Sequence, residues 1–387
     1  MRWVAAPVLL TSSLALASPK DTAPPAATFD DKDALAHFHS ALAAQRAGTA
    51  DHPLRVSYFG DSLTADDQIT GALRDRLQKL VGDGGAGYLF AVEPHPYNEH
   101  KAVVRWTSAN WRVWGISSAI PNDRLLGLGG SAETDDDGAV LFAPTGPAAT
   151  VDVAYLAQPH GGKLEVTADG KTVQTIDTAG TDKADGYAHV ALPDGTKKIG
   201  LRAHGRVRLF GASLEAAKGA VVDNLGVVNA TAKGLATNDL GDHLKDELAH
   251  RAPDLAVVML GTNEAEWLAP RGYGMDEHAK VFDALLQSIH DANPNASCLV
   301  ISPLDQLDWR TENMPPRASV PAMVEVQRTA AHAHGCAFWD TYQWMGGKGS
   351  SADWYRRGWI VKDFQHPTTA GATRLADALY AGLVEAP

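Results

Sequence analysis

The chain has 387 residues, 46 of them acidic and 34 basic, for a formal net charge of -12. That balance opposes binding to nucleic acid or to an anionic membrane surface, and a neutral or acylated substrate is easier to accept.

Met1-Arg2 is followed by an apolar run through Ala17, with Ala15-Leu16-Ala17 just before Ser18. This is the pattern of a secretory signal peptide over residues 1–17 and predicts a periplasmic or secreted protein. Residues 18–29, rich in Pro and Ala, read as a flexible leader. No cysteine follows the cleavage site, against a lipoprotein anchor, and no later apolar run is long enough to span a bilayer.

A short apolar strand, Leu54 to Phe59, leads into Gly60-Asp61-Ser62-Leu63 and then a helix-like run from Asp66. A strand-to-helix turn projects its side chain past the sheet edge, beside unpaired N–H groups at a positive helix end, which places Ser62 like a nucleophile. Taken alone, Asp61 and Ser62 would equally serve as a turn and N-cap.

From about 101 to 217 the pattern changes to short alternating runs: Ala149 to Tyr155, Lys163 to Thr167, Lys171 to Ile176, Ala188 to Leu192, Lys198 to Arg202 and Val207 to Phe210. Asp169-Gly170 and Asp194-Gly195 read as hairpin turns between them. Repeated short strands of period two predict an inserted β-sandwich, separating residues 30–100 from 218–387.

Beyond the insert the chain alternates helix and strand. Val227-Val228 reads as a strand entering a loop with Gly234, Leu255 to Leu260 as a buried strand entering Gly261-Thr262-Asn263-Glu264, and strands are expected at 298–302 and 336–340. Helices are expected near 237–251, 276–291, 321–334 and 368–384. The fold class is therefore α/β, a doubly wound parallel sheet, in which ligands bind outside the carboxyl ends of the strands. Cys298 and Cys336 each open an expected strand; an exported protein permits a bridge, but neighbouring parallel strands aim side chains the same way, which makes the geometry awkward.

Asp363-Phe364-Gln365-His366 is the only Asp-x-x-His of the sequence. His366 would take the proton from Ser62, and Asp363 would hold the imidazole. The N–H groups of Ser62 and Gly234 and the Asn263 carboxamide would be three donors for one oxyanion. No Gly-x-Ser-x-Gly elbow occurs, which counts against an α/β-hydrolase.

These four blocks, in this order, resemble the SGNH/GDSL hydrolase superfamily over residues 50–100 and 220–387. The resemblance implies Ser62 as nucleophile, Gly234 and Asn263 as oxyanion donors, Asp363 as orienter and His366 as base; Gly226 is a second candidate for the glycine. With the insert between the first two blocks, and with Gly82 to Tyr88, Trp106 to Trp114 and the Gly-Thr-Asn-Glu form of the third block, the chain is similar to peptidoglycan O-acetylesterases and related polysaccharide deacetylases. Leu63 departs from the histidine that many of those carry after the nucleophile. The expectation is an exported serine esterase acting on an acetylated polysaccharide through an acyl-enzyme, which needs neither metal nor organic cofactor. Acyl transfer to a sugar, lipase or thioesterase activity, and glycan binding on a vestigial hydrolase fold are the alternatives. Trp267, Trp309, Trp354 and Trp359 are candidates to stack on sugar rings, each against the plainer reading of a core side chain. Arg310, Arg317, Arg356 and Arg357 could meet a glycan carboxylate.

Overall fold

The computed structural model describes residues 23–237, 242–267 and 274–385, so the expected signal peptide lies outside the described residues. In chain order, α1 (Ala36–Ala47), β1 (Leu54–Gly60), α2 (Ser62–Ala65) and α3 (Gln68–Val81) come first. A run of strands follows: β2 (Gly87–Phe90), β3 (Val103–Thr107), β4 (Arg112–Gly115), β5 (Gly130–Thr134), β6 (Gly138–Pro144), β7 (Thr150–Ala157), β8 (Lys163–Ala168), β9 (Lys171–Asp177), β10 (Ala184–Ala191), β11 (Ile199–His204) and β12 (Val207–Glu215). The remainder is β13 (Ala220–Gly226), α4 (Ala232–Thr237), α5 (His243–Arg251), β14 (Leu255–Met259), α6 (Thr262–Trp267), α7 (Met275–Ala292), β15 (Ser297–Ile301), α8 (Ser319–Ala333), β16 (Ala337–Trp339), α9 (Thr341–Trp344), α10 (Ser350–Arg356) and α11 (Thr369–Val384).

Five parallel strands form one sheet in the order β13-β1-β14-β15-β16. Each is apolar enough to be covered on both sides, as crossover helices require. In β1 the alternation divides the faces: Val56 and Tyr58 join Leu73 of α3 and Leu379 of α11, whereas Phe59 joins Leu248 of α5, Phe282 of α7 and Val324 of α8. Because β1 is flanked by β13 on one side and β14 on the other, the residue that follows it sits at the switch point of the sheet, where a crevice opens.

The other strands form two antiparallel sheets, β10-β7-β12-β5-β4 with β2 on β12, and β3-β6-β11-β8-β9. Phe142 and Leu201 from one and Val153 and Leu209 from the other share a single buried cluster. Asp169-Gly170 makes the expected hairpin, with both residues at positive φ between β8 and β9. Asp194-Gly195 does not: it links β10 to β11, which lie in different sheets.

Three sequence boundaries shift. The strand expected at Val227-Val228 lies earlier, as β13, because the Val227 N–H turns to the Gly60 carbonyl and the Val227 carbonyl accepts from Ala230. β2, upstream of residue 101, pairs with β12, and Ile116, Leu126 and Leu128 pack into the core of the parallel sheet. The leader is not free over its described end: Ala27 and Phe29 are buried, and the Ala27 N–H reaches the Ala378 carbonyl.

Cys298 and Cys336 form a disulfide, with Cα atoms 4.5 Å apart. Leu299 pairs with Ala337, so the two cysteines stand side by side one residue earlier, where Cys336 has not yet joined the ladder and is free to turn its side chain. Among the described residues, no helix is long and apolar enough to cross a membrane.

Candidate active site

Gly60 ends β1 because the chain must fold back at once: a Cβ there would lie 2.1 Å from the Thr64 hydroxyl. Asp61 then caps α2, its Oδ1 accepting the Leu63 N–H at 3.0 Å, so that Ser62 opens the helix. Gly226, paired with Gly60 across the sheet, gives α2 room; a Cβ on it would stand 2.6 Å from the Ala65 nitrogen.

From the other end of the chain, the loop before α11 brings in the partner. Ser62 Oγ lies 2.7 Å from His366 Nε2, and His366 Nδ1 lies 2.8 Å from Asp363 Oδ2. The Asp363 carboxylate only accepts, so Nδ1 carries the proton and Nε2 is left to accept from the serine hydroxyl. Asp363 Oδ1 also accepts the N–H groups of Gln365 and His366, a tight turn in which Phe364 takes a φ of 59°. The structure brings these three residues of the sequence expectation within hydrogen-bond distance of one another.

The hydrogen bond to Asp363 holds the His366 pKa above its ordinary value; burial opposes this, and the negative charges of Asp363, Asp61 and Asp66 add to it. For Asp363, burial pushes the pKa up, but the hydrogen bonds from the His366 ring and the two backbone N–H groups outweigh it, and the net direction is down. Burial raises the neighbouring Asp61.

The third block stands at the end of β14, where α6 begins. Asn263 donates Nδ2 to the Ala230 carbonyl at 2.9 Å, and Glu264 accepts the Ala232 N–H at 2.7 Å. Burial pushes the Glu264 pKa up to about 7. Two consecutive side chains of α6 thus grip the turn between β13 and α4.

That turn overturns the glycine assignment. The Gly234 N–H lies inside α4 and is taken by the Thr231 hydroxyl at 3.0 Å, and the Gly226 N–H is taken by Asn224 Oδ1 at 3.0 Å. Neither is open to an oxyanion. Asn229, which the sequence reading passed over, occupies the left-handed region with a φ of 63°. Its flanks are pinned by the Ser117 hydroxyl on the Val228 carbonyl (2.5 Å) and by Asn263 on the Ala230 carbonyl, while its own N–H has no hydrogen-bond partner among the described residues. The available signal was chemical: asparagine is a non-glycine residue that tolerates this conformation.

The tryptophans separate. Trp354 and Trp359 are buried, packed edge to face with ring centroids 5.4 Å apart, and Trp354 Nε1 donates to the Met345 carbonyl; they belong to the core and not to a sugar platform. Trp309 is 51% exposed, with the Arg310 guanidinium 5.5 Å from its ring centre. Arg310 pairs with Glu266, which also accepts from Gln365, the neighbour of His366. Trp267 closes α6, and its side chain lies outside the described residues. Arg317 pairs with Asp308, Arg356 pairs with Asp353, and Arg357 lies over Trp359.

Comparison with known proteins fits this geometry. A solved structure titled as a peptidoglycan O-acetylesterase in action superposes with a TM-score of 0.78 at 24% identity, covering 90% of this chain and 95% of that one. The chain has the SGNH hydrolase fold. The model of the GDSL-like lipase/acylhydrolase family matches residues 186–374, which takes in Asn263, Asp363 and His366 but not Ser62, since the antiparallel sheets intervene in sequence. A catalytic mutant of an acetylxylan esterase from Geobacillus stearothermophilus aligns with a TM-score of 0.33 at 17% identity, over 43% of this chain and 73% of that one. No curated protein matches. The SGNH hydrolase resembles peptidoglycan O-acetylesterases and is an ester-hydrolysing enzyme.

Proposed function

We propose that this enzyme is an exported serine esterase that removes O-acetyl groups from a cell-envelope or extracellular polysaccharide, with peptidoglycan the leading substrate. The observation that carries the reading is the continuous relay Ser62–His366–Asp363, at 2.7 and 2.8 Å. Ser62 Oγ attacks the acetyl carbonyl while His366 Nε2 takes its proton, and the oxyanion accepts from the remaining Asn263 Nδ2 hydrogen and from the backbone N–H groups of Ser62 and Asn229. His366 then returns the proton to the departing sugar hydroxyl. Water, deprotonated by the same nitrogen, releases acetate from Ser62.

Support for a polysaccharide comes from the two antiparallel sheets, read as an inserted sandwich of the carbohydrate-binding type, and from the exposed Trp309 beside the Glu266–Gln365 contact. The apolar amino-terminal run supports export. The test is acetate release from a panel of acetylated polymers, peptidoglycan included, by the parent and by Ser62→Ala. Release by the parent alone supports the reading, and Ser62→Ala at parental rate overturns it.

A further inference from the structure

β3 leaves the neighbourhood of the nucleophile and carries an unusual face outward. The Lys101 N–H is held by Asp67 Oδ2 at 2.7 Å, five residues after Ser62, and β3 begins two residues later. Along β3 the side chains alternate: Arg105 turns inward over Phe142, whereas Val104 and Trp106 are 70% and 58% exposed. At ~3.3 Å per residue, Trp106 stands at most ~17 Å along the strand from Lys101.

The register shows what lies beside it. Trp106 pairs with Leu141, Leu141 with Gly200, and Gly200 with Thr167, so one row crosses four strands on the outer face. Side chains directly opposite each other in such a ladder share a face. Gly200 keeps the middle of the row low, because the Thr167 hydroxyl already fills the place of a side chain there and would stand 2.4 Å from a Cβ. The result is a trough of about 360 Å³ with Trp106 as its wall and Lys198 and Arg202 on its rim. Neither cation makes an ion pair among the described residues. The one carboxylate on the rim, Asp169, is engaged by the backbone N–H groups of Lys197 and Lys198.

We propose that this trough is a second binding site, distinct from the catalytic crevice, for a chain of an acidic glycan. The indole offers a flat face to the C–H surface of a sugar ring, the trough floor at Gly200 and Thr167 adds no bulky side chain, and Lys198 with Arg202 pairs with a carboxylate. The charge argument is local: on a molecule of net charge -12, two unpaired cations flank one exposed aromatic wall. The proposal extends the polysaccharide esterase reading by giving the polymer a grip apart from the reacting ester.

The test measures binding without ester chemistry. The full chain bearing Ser62→Ala is co-sedimented with peptidoglycan sacculi stripped of O-acetyl groups and titrated with soluble polygalacturonate and uncharged xylan. Adding Trp106→Ala weakens binding to the acidic polymers by about 3- to 10-fold, and Trp106→Phe recovers part of it. Arg202→Gln weakens binding at low salt, and its effect fades as ionic strength rises. Thermal melts confirm that each variant is folded. Parental binding by Trp106→Ala, or absence of binding by the Ser62→Ala chain to any acidic polymer, overturns the trough, and equal affinity for xylan overturns the acidic class. Failure to release acetate from polymers would instead sink the esterase reading and leave this binding result standing.

Discussion

Asn263 and Ala230 are joined by a 2.9 Å hydrogen bond from the carboxamide to the backbone carbonyl, across the crevice between α6 and the turn after β13. A primary amide has two N–H bonds, so this contact fixes the orientation of the group while one donor remains. The same side chain therefore builds the oxyanion site and holds the turn beside it, which carries Asn229.

Asn263→Ala removes both roles. The expected result is a fall in kcat of roughly 10²–10³ with little change in KM for a small acetyl ester, because the donor acts on charge that develops only in the transition state. Steady-state kinetics with a chromogenic acetate checks it. A rise in KM at unchanged kcat would contradict the assignment.

The two glycines respond in an order opposite to their sequence reading. Gly226→Ala places a methyl group 2.6 Å from the Ala65 nitrogen and 2.8 Å from the Thr64 carbonyl carbon, so it displaces the helix that opens with Ser62. Gly234→Ala changes a helical residue whose N–H already serves Thr231. Gly226→Ala is expected to lose at least about ten times more turnover than Gly234→Ala, while Asn229→Gly stays near parental because glycine adopts positive φ without strain. Comparison of kcat/KM for the three variants decides it.

The acid limb of the rate profile follows from His366. As a base it must be neutral, and its hydrogen bond to Asp363 and the surrounding negative charge favour the cation, so the proton is retained to higher pH than the reference of about 6.5. Activity therefore rises with pH through a midpoint above that value. Asp363→Asn removes the carboxylate, moves the limb to lower pH, and costs roughly 10⁴ in kcat by releasing the imidazole tautomer. A pH profile of kcat/KM that is flat from acid to neutral pH would exclude a histidine base.

What the sequence makes legible is local. β14 is a continuous apolar run and β1 is apolar but for Arg55 and Ser57, both run into glycine, and Asp363 and His366 are three residues apart, so each is recognisable without its partners. β13 is harder, because Asp223 and Asn224 break its apolar pattern. The structure explains the exception: Arg251 grips Asp223 at 2.8 and 2.9 Å, Ser57 donates to it at 2.7 Å, and no sequence window contains all three. The same limit applies to Trp354 and Trp359, whose burial depends on Trp344 and α11, and to the donor at Asn229, where a search for glycine overlooks a residue that tolerates the same backbone region.

The antiparallel region looks separable in sequence and is expected not to be. Excision of residues 101–217 would remove Ile116, Leu126 and Leu128 from the core that covers Phe59 and Leu225, and would strip β2 of β12, its partner in the antiparallel sheet. It would also take away Glu215, whose carboxylate meets Arg251 at 2.6 Å and Arg55 at 2.9 Å. Arg251 is buried, and Asp223 alone would then neutralise it; breaking such a buried network costs about 3–5 kcal/mol, before the loss of three buried apolar side chains at about 1.5–3 kcal/mol each. Together these exceed the stability of a typical domain, about 5–15 kcal/mol, at its lower end. The excised chain should give no cooperative thermal transition and should elute as aggregate in size-exclusion chromatography, whereas Trp106→Ala, on the exposed face, should melt within a few degrees of the parent. A soluble, cooperatively melting excision product would show that the parallel sheet stands without the inserted strands.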